Sequence, residues 1–308
     1  MKKTFYSNGK LLITGEYLVL DGAKALALPT KFGQNLIIEK GENQEIKWKS
    51  YDSDGSIWFD DIIPISVILT KTPFENESIK NTLITILRTA DQLNPELLLN
   101  SQGFNITTQL NFPKKWGLGT SSTLINNIAQ WFSIDAFTLL KNSFGGSGYD
   151  IACAQNNSPI IYHLEEKKPI VETVKFHPAF SKNLYFVYLN QKQSSKSAIA
   201  SYKEKKNNLK EAKKIIDQIT ETVLNSKNED TFVQALESHE KVLSSILETK
   251  TVKESLFPDF TGTVKSLGAW GGDFALIVSK ENPKPYFLDK GYETIIQYSD
   301  MILQLNGR

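Results

Sequence analysis

The sequence predicts an α+β chain in two domains, and three observations carry that reading. The 308 residues, 40% hydrophobic and 22% charged, are enough for two separate cores. Short alternating strand patterns crowd residues 4–66, and two long amphipathic helices with about four strands fill the second half rather than alternating as β-α-β units. Three glycine clusters, at 117–119, 145–148 and 268–272, each stand at the junction of a loop with a regular element.

In chain order, a turn at Asn8-Gly9 precedes a short apolar strand that holds Lys10 and stops at Gly15-Glu16-Tyr17. A second turn at Asp21-Gly22 leads into Ala23–Pro29, expected to pair with the first strand. Asn35–Lys40, Glu45–Ser50 and Ser56–Phe59 read as a β-meander, with Trp48, Tyr51, Trp58 and Phe59 as packing pairs across it. Residues 77–99 carry helical spacing broken at Asn94-Pro95, and Phe104–Gln109 is a strand.

The next stretch, Pro113 to Trp131, organises the chain. Gly117 and Gly119 permit positive φ and expose backbone N–H groups. Thr120, Ser121 and Ser122 offer N-cap hydroxyls, and Leu124, Ile125, Ile128, Ala129 and Phe132 recur at helical spacing. A glycine-lined entry to a helix N-terminus suits phosphate, because the unpaired N–H donors and the positive end of the macrodipole both face an anion. No Gly-Lys-Ser/Thr closes the loop, so this is not the commoner P-loop and its lysine must come from elsewhere. Phe144–Ala154 repeats the theme, with Ser147 and Gly148 ahead of Asp150 in a helix's first turn; an ordinary capping aspartate is the plain alternative there.

Pro159–His163 is a strand, Glu165–Pro169 a charged turn, and Leu184–Leu189 opens a new buried strand, which puts the domain boundary near residue 170, between 1–170 and 171–308. Residues 191–197, with Lys192, Ser194, Ser195 and Lys196, read as a polar turn. Helices are expected over about 201–225 and 229–249. The third cluster, Gly268-Ala269-Trp270-Gly271-Gly272-Asp273, runs into the strand Phe274–Ser279, and Tyr286–Leu288 suggests a further strand.

Composition narrows the partners. A net charge of +1 gives no general attraction to nucleic acid or to a membrane surface. No run approaches the ~18 apolar residues of a membrane span, and Asn8, Gly9, Lys10 and Glu16 interrupt any leader-like apolar stretch after Met1-Lys-Lys. The lone Cys153 cannot form an internal disulfide, which points to the cytoplasm. His163, His177 and His239 lack metal-ligand spacing.

Taken together, Gly9-Lys10…Gly15-Glu16, Pro113…Gly117-Leu118-Gly119-Thr120-Ser121-Ser122, Ser147-Gly148-Tyr149-Asp150 and Gly268–Asp273 resemble, in order and along the whole chain, the motifs of the GHMP kinases. Within that family the pattern is most like the branch that phosphorylates phosphomevalonate, with the mevalonate branch next, because of Tyr17 after Gly-Glu, Lys115-Trp116 before Gly-Leu-Gly, and Asp273 at the end of the third loop. The resemblance implies an N-terminal domain like domain 2 of ribosomal protein S5, a ferredoxin-like C-terminal domain, and ATP with Mg²⁺ between them. By the same resemblance Gly117, Leu118, Gly119, Thr120, Ser121 and Ser122 hold the nucleotide, Ser121 ligates Mg²⁺, and Asp150 and Lys10 are catalytic. The acceptor is met by Glu16, Tyr17, Ser147, Gly148, Lys192, Ser194, Ser195, Lys196, Gly268, Ala269, Gly271, Gly272 and Asp273, and a homodimer is compatible with it.

The sequence departs from the family pattern at Asn8, at Thr120, in a short connection between the phosphate loop and Asp150, and at Trp270, which stands where the third loop has glycine. A protein of this fold that binds a nucleotide without turning it over is the alternative. The retained Lys10, Ser121 and Asp150 argue against it.

Overall fold

The structure, a computed structural model, describes residues 2–70, 74, 76, 78–191, 195–204, 209–270 and 272–304, without the side chains of 195–198 and 201. Its strands are β1 (Lys3–Leu12), β2 (Ala25–Lys40), β3 (Glu45–Tyr51), β4 (Ile57–Pro64), β5 (Gly103–Leu110), β6 (Ile160–Glu165), β7 (Lys168–Thr173), β8 (Leu184–Tyr188), β9 (Thr263–Ser266), β10 (Phe274–Val278) and β11 (Ile295–Gln297). Strands β1 to β7 form one sheet in the order β4-β3-β5-β2-β6-β7, with β1 on β2, and the rest form a second in the order β11-β8-β10-β9. The α+β expectation with two sheets holds.

The chain divides into two compact units that do not follow chain order: residues 1–9, 32–114 and 118–155 make the first, and 10–31, 115–117 and 156–308 the second.

In the first unit, β2 pairs antiparallel with β5, and β5 pairs parallel with β3. This corrects the expected meander, because β5 lies where β2 and β3 would have met. The match of alternating residues explains the choice: Ile46 stands against Phe104, Trp48 against Ile106 and Ser50 against Thr108. Trp48 is a core residue, whereas Trp58 lies under the Lys114 ammonium, 3.9 Å from the ring centre. The helix Ile79–Leu93 starts on the Ser78 hydroxyl, which accepts the Asn81 N–H, and it stops at Asn94 before Pro95. It packs with the helix Thr120–Phe132 in a core that includes Leu87, Ile106, Ile125, Ile128 and Phe132. The expected turn at Asn8-Gly9 is absent. Both residues are buried within β1, which runs straight through.

In the second unit, Glu166 and Lys167 both take positive φ, so the charged turn shrinks to a two-residue hairpin between β6 and β7. The helix Glu229–Leu247 is capped by Asn228, which accepts the Thr231 N–H, and packs on the helix Leu209–Asn225. Two further expectations fail here. A helix begins at Ser195 inside the expected polar turn, with nothing in Ser-Lys-Ser-Ala-Ile-Ala to stop one. Tyr286–Leu288 lies in the helix Lys284–Asp289, which starts after Pro283 and packs Phe287 on Phe257, so the aromatics that suggested a strand serve helix packing.

Candidate active site

The glycine-rich loop closes with Gly119 at φ 104°, as the N-cap of the helix Thr120–Phe132. None of the hydroxyls expected to cap this helix, those of Thr120, Ser121 and Ser122, does so, because Gly119 is the cap and makes no side-chain cap hydrogen bond. Ser122 Oγ donates to the Gly119 carbonyl at 2.9 Å, and Thr123 Oγ1 donates to Gln34 Oε1 at 2.8 Å. With glycine at the cap, no capping side chain competes there for the first-turn N–H groups, which suits an anionic ligand. Ser121 is exposed and Leu118 buried beneath the loop.

At the loop's first glycine, Gly117 takes φ 69°, and a Cβ added there would lie 2.3 Å from the Asp273 carboxyl carbon. Glycine is required at this point both for the backbone turn and for the carboxylate packed on it. Lys10, on β1, donates from Nζ to the Gly117 carbonyl at 3.1 Å. The structure thus brings Lys10, Gly117 and Asp273 to one spot in the second unit.

Asp150 lies in the first turn of the helix Tyr149–Gln155, half-buried, and its Oδ1 accepts the Ile151 N–H at 3.1 Å. Gly145, Gly146 and Gly148 ahead of it all have positive φ, a sharp approach that places Ser147 and Asp150 at the start of the helix.

The Gly15-Glu16-Tyr17 segment folds unusually. Tyr17 has φ 62° and ψ −51°, and the Leu18 N–H reaches back to the Glu16 carbonyl at 2.7 Å, a γ-turn of the rare positive-φ kind. The Tyr17 hydroxyl accepts the Trp270 N–H at 3.1 Å, and its ring lies 5.4 Å from that of Tyr202, whose hydroxyl donates to Asp21. Glu16 is 1% exposed, and its Oε1 accepts from Lys265 Nζ at 2.7 Å while Oε2 lies 3.2 Å from His239 Nε2. Burial, partly offset by the Lys265 charge, pushes the Glu16 carboxyl up to about 7. Burial raises Glu240 as well and keeps His239 well below the usual histidine value, hence neutral.

The closing loop has Gly268 at φ 66°, Ala269, Trp270 and Gly272 buried, and Asp273 at φ 52° with its N–H donated to the Gln191 carbonyl at 2.7 Å. Lys192, Ser194 and Gly271 lie outside the described residues, as do the side chains of Ser195 and Lys196.

Sequence reasoning passed over Lys265, His239, Glu240 and Tyr202. One signal was present: a lysine in the short strand Thr263–Ser266, just before a glycine cluster.

The donor set can be tested against the cofactors. The glycine cap of the helix Thr120–Phe132 fits an anionic ligand such as a nucleotide phosphate. Among the described residues no three His, Cys, Asp or Glu side chains converge as a metal cage. No helix of the described residues is long and apolar enough to cross a membrane.

No protein-family profile and no curated sequence matches the chain. Solved structures do. The Methanococcus jannaschii mevalonate kinase is similar at a TM-score of 0.71 and 17% identity, covering 99% of each chain. The Streptococcus pneumoniae phosphomevalonate kinase in complex with phosphomevalonate and AMPPNP matches at 0.68 and 16%, covering 98% of each chain. The Lactococcus lactis galactokinase complexed with galactose matches at 0.69 and 13%, over 98% of this chain and 95% of its own. The fold of this chain is the one these kinases share.

Proposed function

We propose that the chain is an ATP- and Mg²⁺-dependent kinase of the GHMP type, acting in the cytoplasm on a small acceptor, phosphomevalonate first and mevalonate second. The observation that carries the reading is the Lys10 ammonium on the carbonyl of Gly117, where the glycine loop begins. Phosphoryl transfer asks a protein for positioning and charge stabilisation rather than for a covalent intermediate. In this reading the N–H groups of 117–122 bind the nucleotide phosphates, and Ser121 ligates the cation. Lys10 stabilises charge on the transferring group. Asp150 takes the acceptor's proton or orients the acceptor as its attacking oxygen, a phosphate oxygen in phosphomevalonate and a hydroxyl in mevalonate, bonds to the γ-phosphorus and the bond to the β-phosphate oxygen breaks, releasing ADP. Mg²⁺ would neutralise phosphate charge when bound with ATP.

On the acceptor side we assign Tyr17, Ser147, Gly148 and the 268–273 loop with Asp273, and Lys192, Ser194, Ser195 and Lys196 for the acceptor phosphate. We keep the working division at residue 170. The neighbour solved with phosphomevalonate and AMPPNP supports this acceptor class, and the galactokinase neighbour makes a sugar the competitor.

The test is ADP release measured against mevalonate, phosphomevalonate, homoserine and galactose. Phosphomevalonate should give the highest kcat/KM, and Lys192→Ala with Lys196→Ala should collapse its advantage over mevalonate. ATP binding without turnover of any acceptor would favour the non-catalytic alternative.

A further inference from the structure

Lys265, Glu16, Glu240 and His239 form a buried polar cluster inside the second unit, in which Glu16 Oε2, Glu240 Oε1 and His239 Nδ1 lack hydrogen-bond partners. Lys265 Nζ lies 2.7 Å from Glu16 Oε1 and 3.3 Å from Glu240 Oε1, and it also donates to the Ser266 carbonyl. Glu240 Oε2 accepts from Ser266 Oγ at 2.9 Å, and His239 Nε2 accepts the Gly15 N–H at 2.9 Å. Lys265 and His239 are fully buried, and Glu16 and Glu240 are 1% and 4% exposed.

Burying such a set contributes little to stability, because desolvation offsets the attraction, and well-packed apolar residues often serve a core as well or better. What the set does offer is fixed geometry. It holds the γ-turn at Tyr17 from two sides, with His239 on the Gly15 N–H and Lys265 on the Glu16 side chain. A turn at φ 62° and ψ −51° persists only where its surroundings impose it. From that turn the Tyr17 hydroxyl reaches the Trp270 N–H, and Lys265 itself is the next-to-last residue of β9, three residues before Gly268. Trp270 is 9% exposed, and its indole Nε1 has no hydrogen-bond partner, so this contact anchors the residue by its backbone.

We propose that Lys265 is a positioning residue. With Glu16 it clamps the Tyr17 turn and, through the Tyr17 hydroxyl, sets the closing glycine loop in the conformation that receives the acceptor; the acceptor clause rests on the kinase reading above. Glu16 thereby acts from beneath the site, through Lys265.

The experiment compares wild type with Glu16→Gln/Lys265→Met, a pair that removes both charges together. Acrylamide quenching of Trp270, taken as the difference from matched Trp270→Phe proteins, should rise severalfold in the double variant while its circular dichroism is unchanged. With turnover in hand, KM for the acceptor should rise about tenfold, a loss near 1.4 kcal/mol, with ATP affinity unaltered. A folded double variant whose Trp270 is as shielded as in wild type overturns the clamp. If the double variant does not fold, Tyr17→Phe decides, since it keeps the cluster and removes only the hydroxyl: raised quenching supports the clamp, and unchanged quenching overturns it. A wild type inert toward every acceptor overturns the kinase reading alone and leaves the fluorescence result to judge the clamp.

Discussion

The two glycine loops are built by different means. The 117–119 loop is mainly local: Gly117 and Gly119 supply the backbone angles, the helix that follows is continuous with them in sequence, and Lys10 and Asp273 reach only its first glycine from afar. The closing loop is held from afar. Trp270 is tied to Tyr17, Asp273 to Gln191, and the strand before the loop to Glu16 and Glu240 through Lys265. Local construction leaves its mark in a motif, whereas remote construction is spread over residues that look ordinary one by one. Substitutions should therefore act sharply in the first and diffusely in the second.

The largest effect is expected at the chemistry. Asp150→Asn and Lys10→Ala should each lower kcat by about two decades or more with the fold intact, the size of a proton-transfer or charge-stabilising contribution. Steady-state kinetics beside circular dichroism checks this, and near-normal turnover in Asp150→Asn would remove that residue from the assignment.

Next is Gly119→Val, which forces a β-branched residue to φ 104° in the middle of the phosphate loop. Calorimetry should find ATP binding lost in folded protein, whereas retained affinity would mean that the loop does not hold the nucleotide.

The remote loop should respond to pH instead. The Glu16 carboxyl is raised from 4.5 to about 7 in the folded chain, so the folded state holds the extra proton between those values. Its stabilising contribution is complete below about 4.5 and is lost as pH rises through about 7, and the raised Glu240 acts in the same direction. Neutral His239 acts the other way, because its imidazole takes up a proton below about 6.5 only when the chain unfolds. The contribution of Glu16 is therefore read as a difference: between pH 4.5 and 7 the melting temperature of Glu16→Gln should gain on that of wild type, and a difference that does not change with pH would place the proton elsewhere.

The smallest effect is Ser121→Ala. It should leave kcat at saturating Mg²⁺ close to wild type and raise the Mg²⁺ concentration needed for half-maximal rate. An unchanged Mg²⁺ titration would argue that the exposed hydroxyl has no cation to ligate.

The same contrast explains what the sequence could and could not show. Helical periodicity carried through for Ile79–Leu93, Thr120–Phe132 and Glu229–Leu247, where the signal is written within a few turns, whereas the cap expected from the 120–122 hydroxyls is Gly119 instead. Asn8-Gly9 misled because a strong turn dipeptide was overruled by its burial in β1. Tyr286–Leu288 misled because aromatic content favours strands and helix packing alike, and the proline at 283 was the better guide. Lys10 and Gly117 were each visible as motif residues, yet their contact spans 107 positions and no periodicity encodes it. The Glu16–Lys265 pair spans 249 and was further hidden by the habit of reading charges as solvated.

The place of β5 has a consequence for how the chain assembles. Because β5 separates β2 from β3, the hairpin of β3 and β4 has no sheet to join until residues 103–110 have docked on β2. As the polypeptide leaves the ribosome, the 34–40 edge of β2 and the apolar residues of β3 are therefore synthesised some sixty residues before their shared partner. Unpaired strand edges of this kind invite pairing with other chains. The vulnerable window of synthesis lies between the emergence of Tyr51 and that of Leu110, and a pause or truncation there would yield a fragment prone to aggregate, whatever the stability of the finished protein.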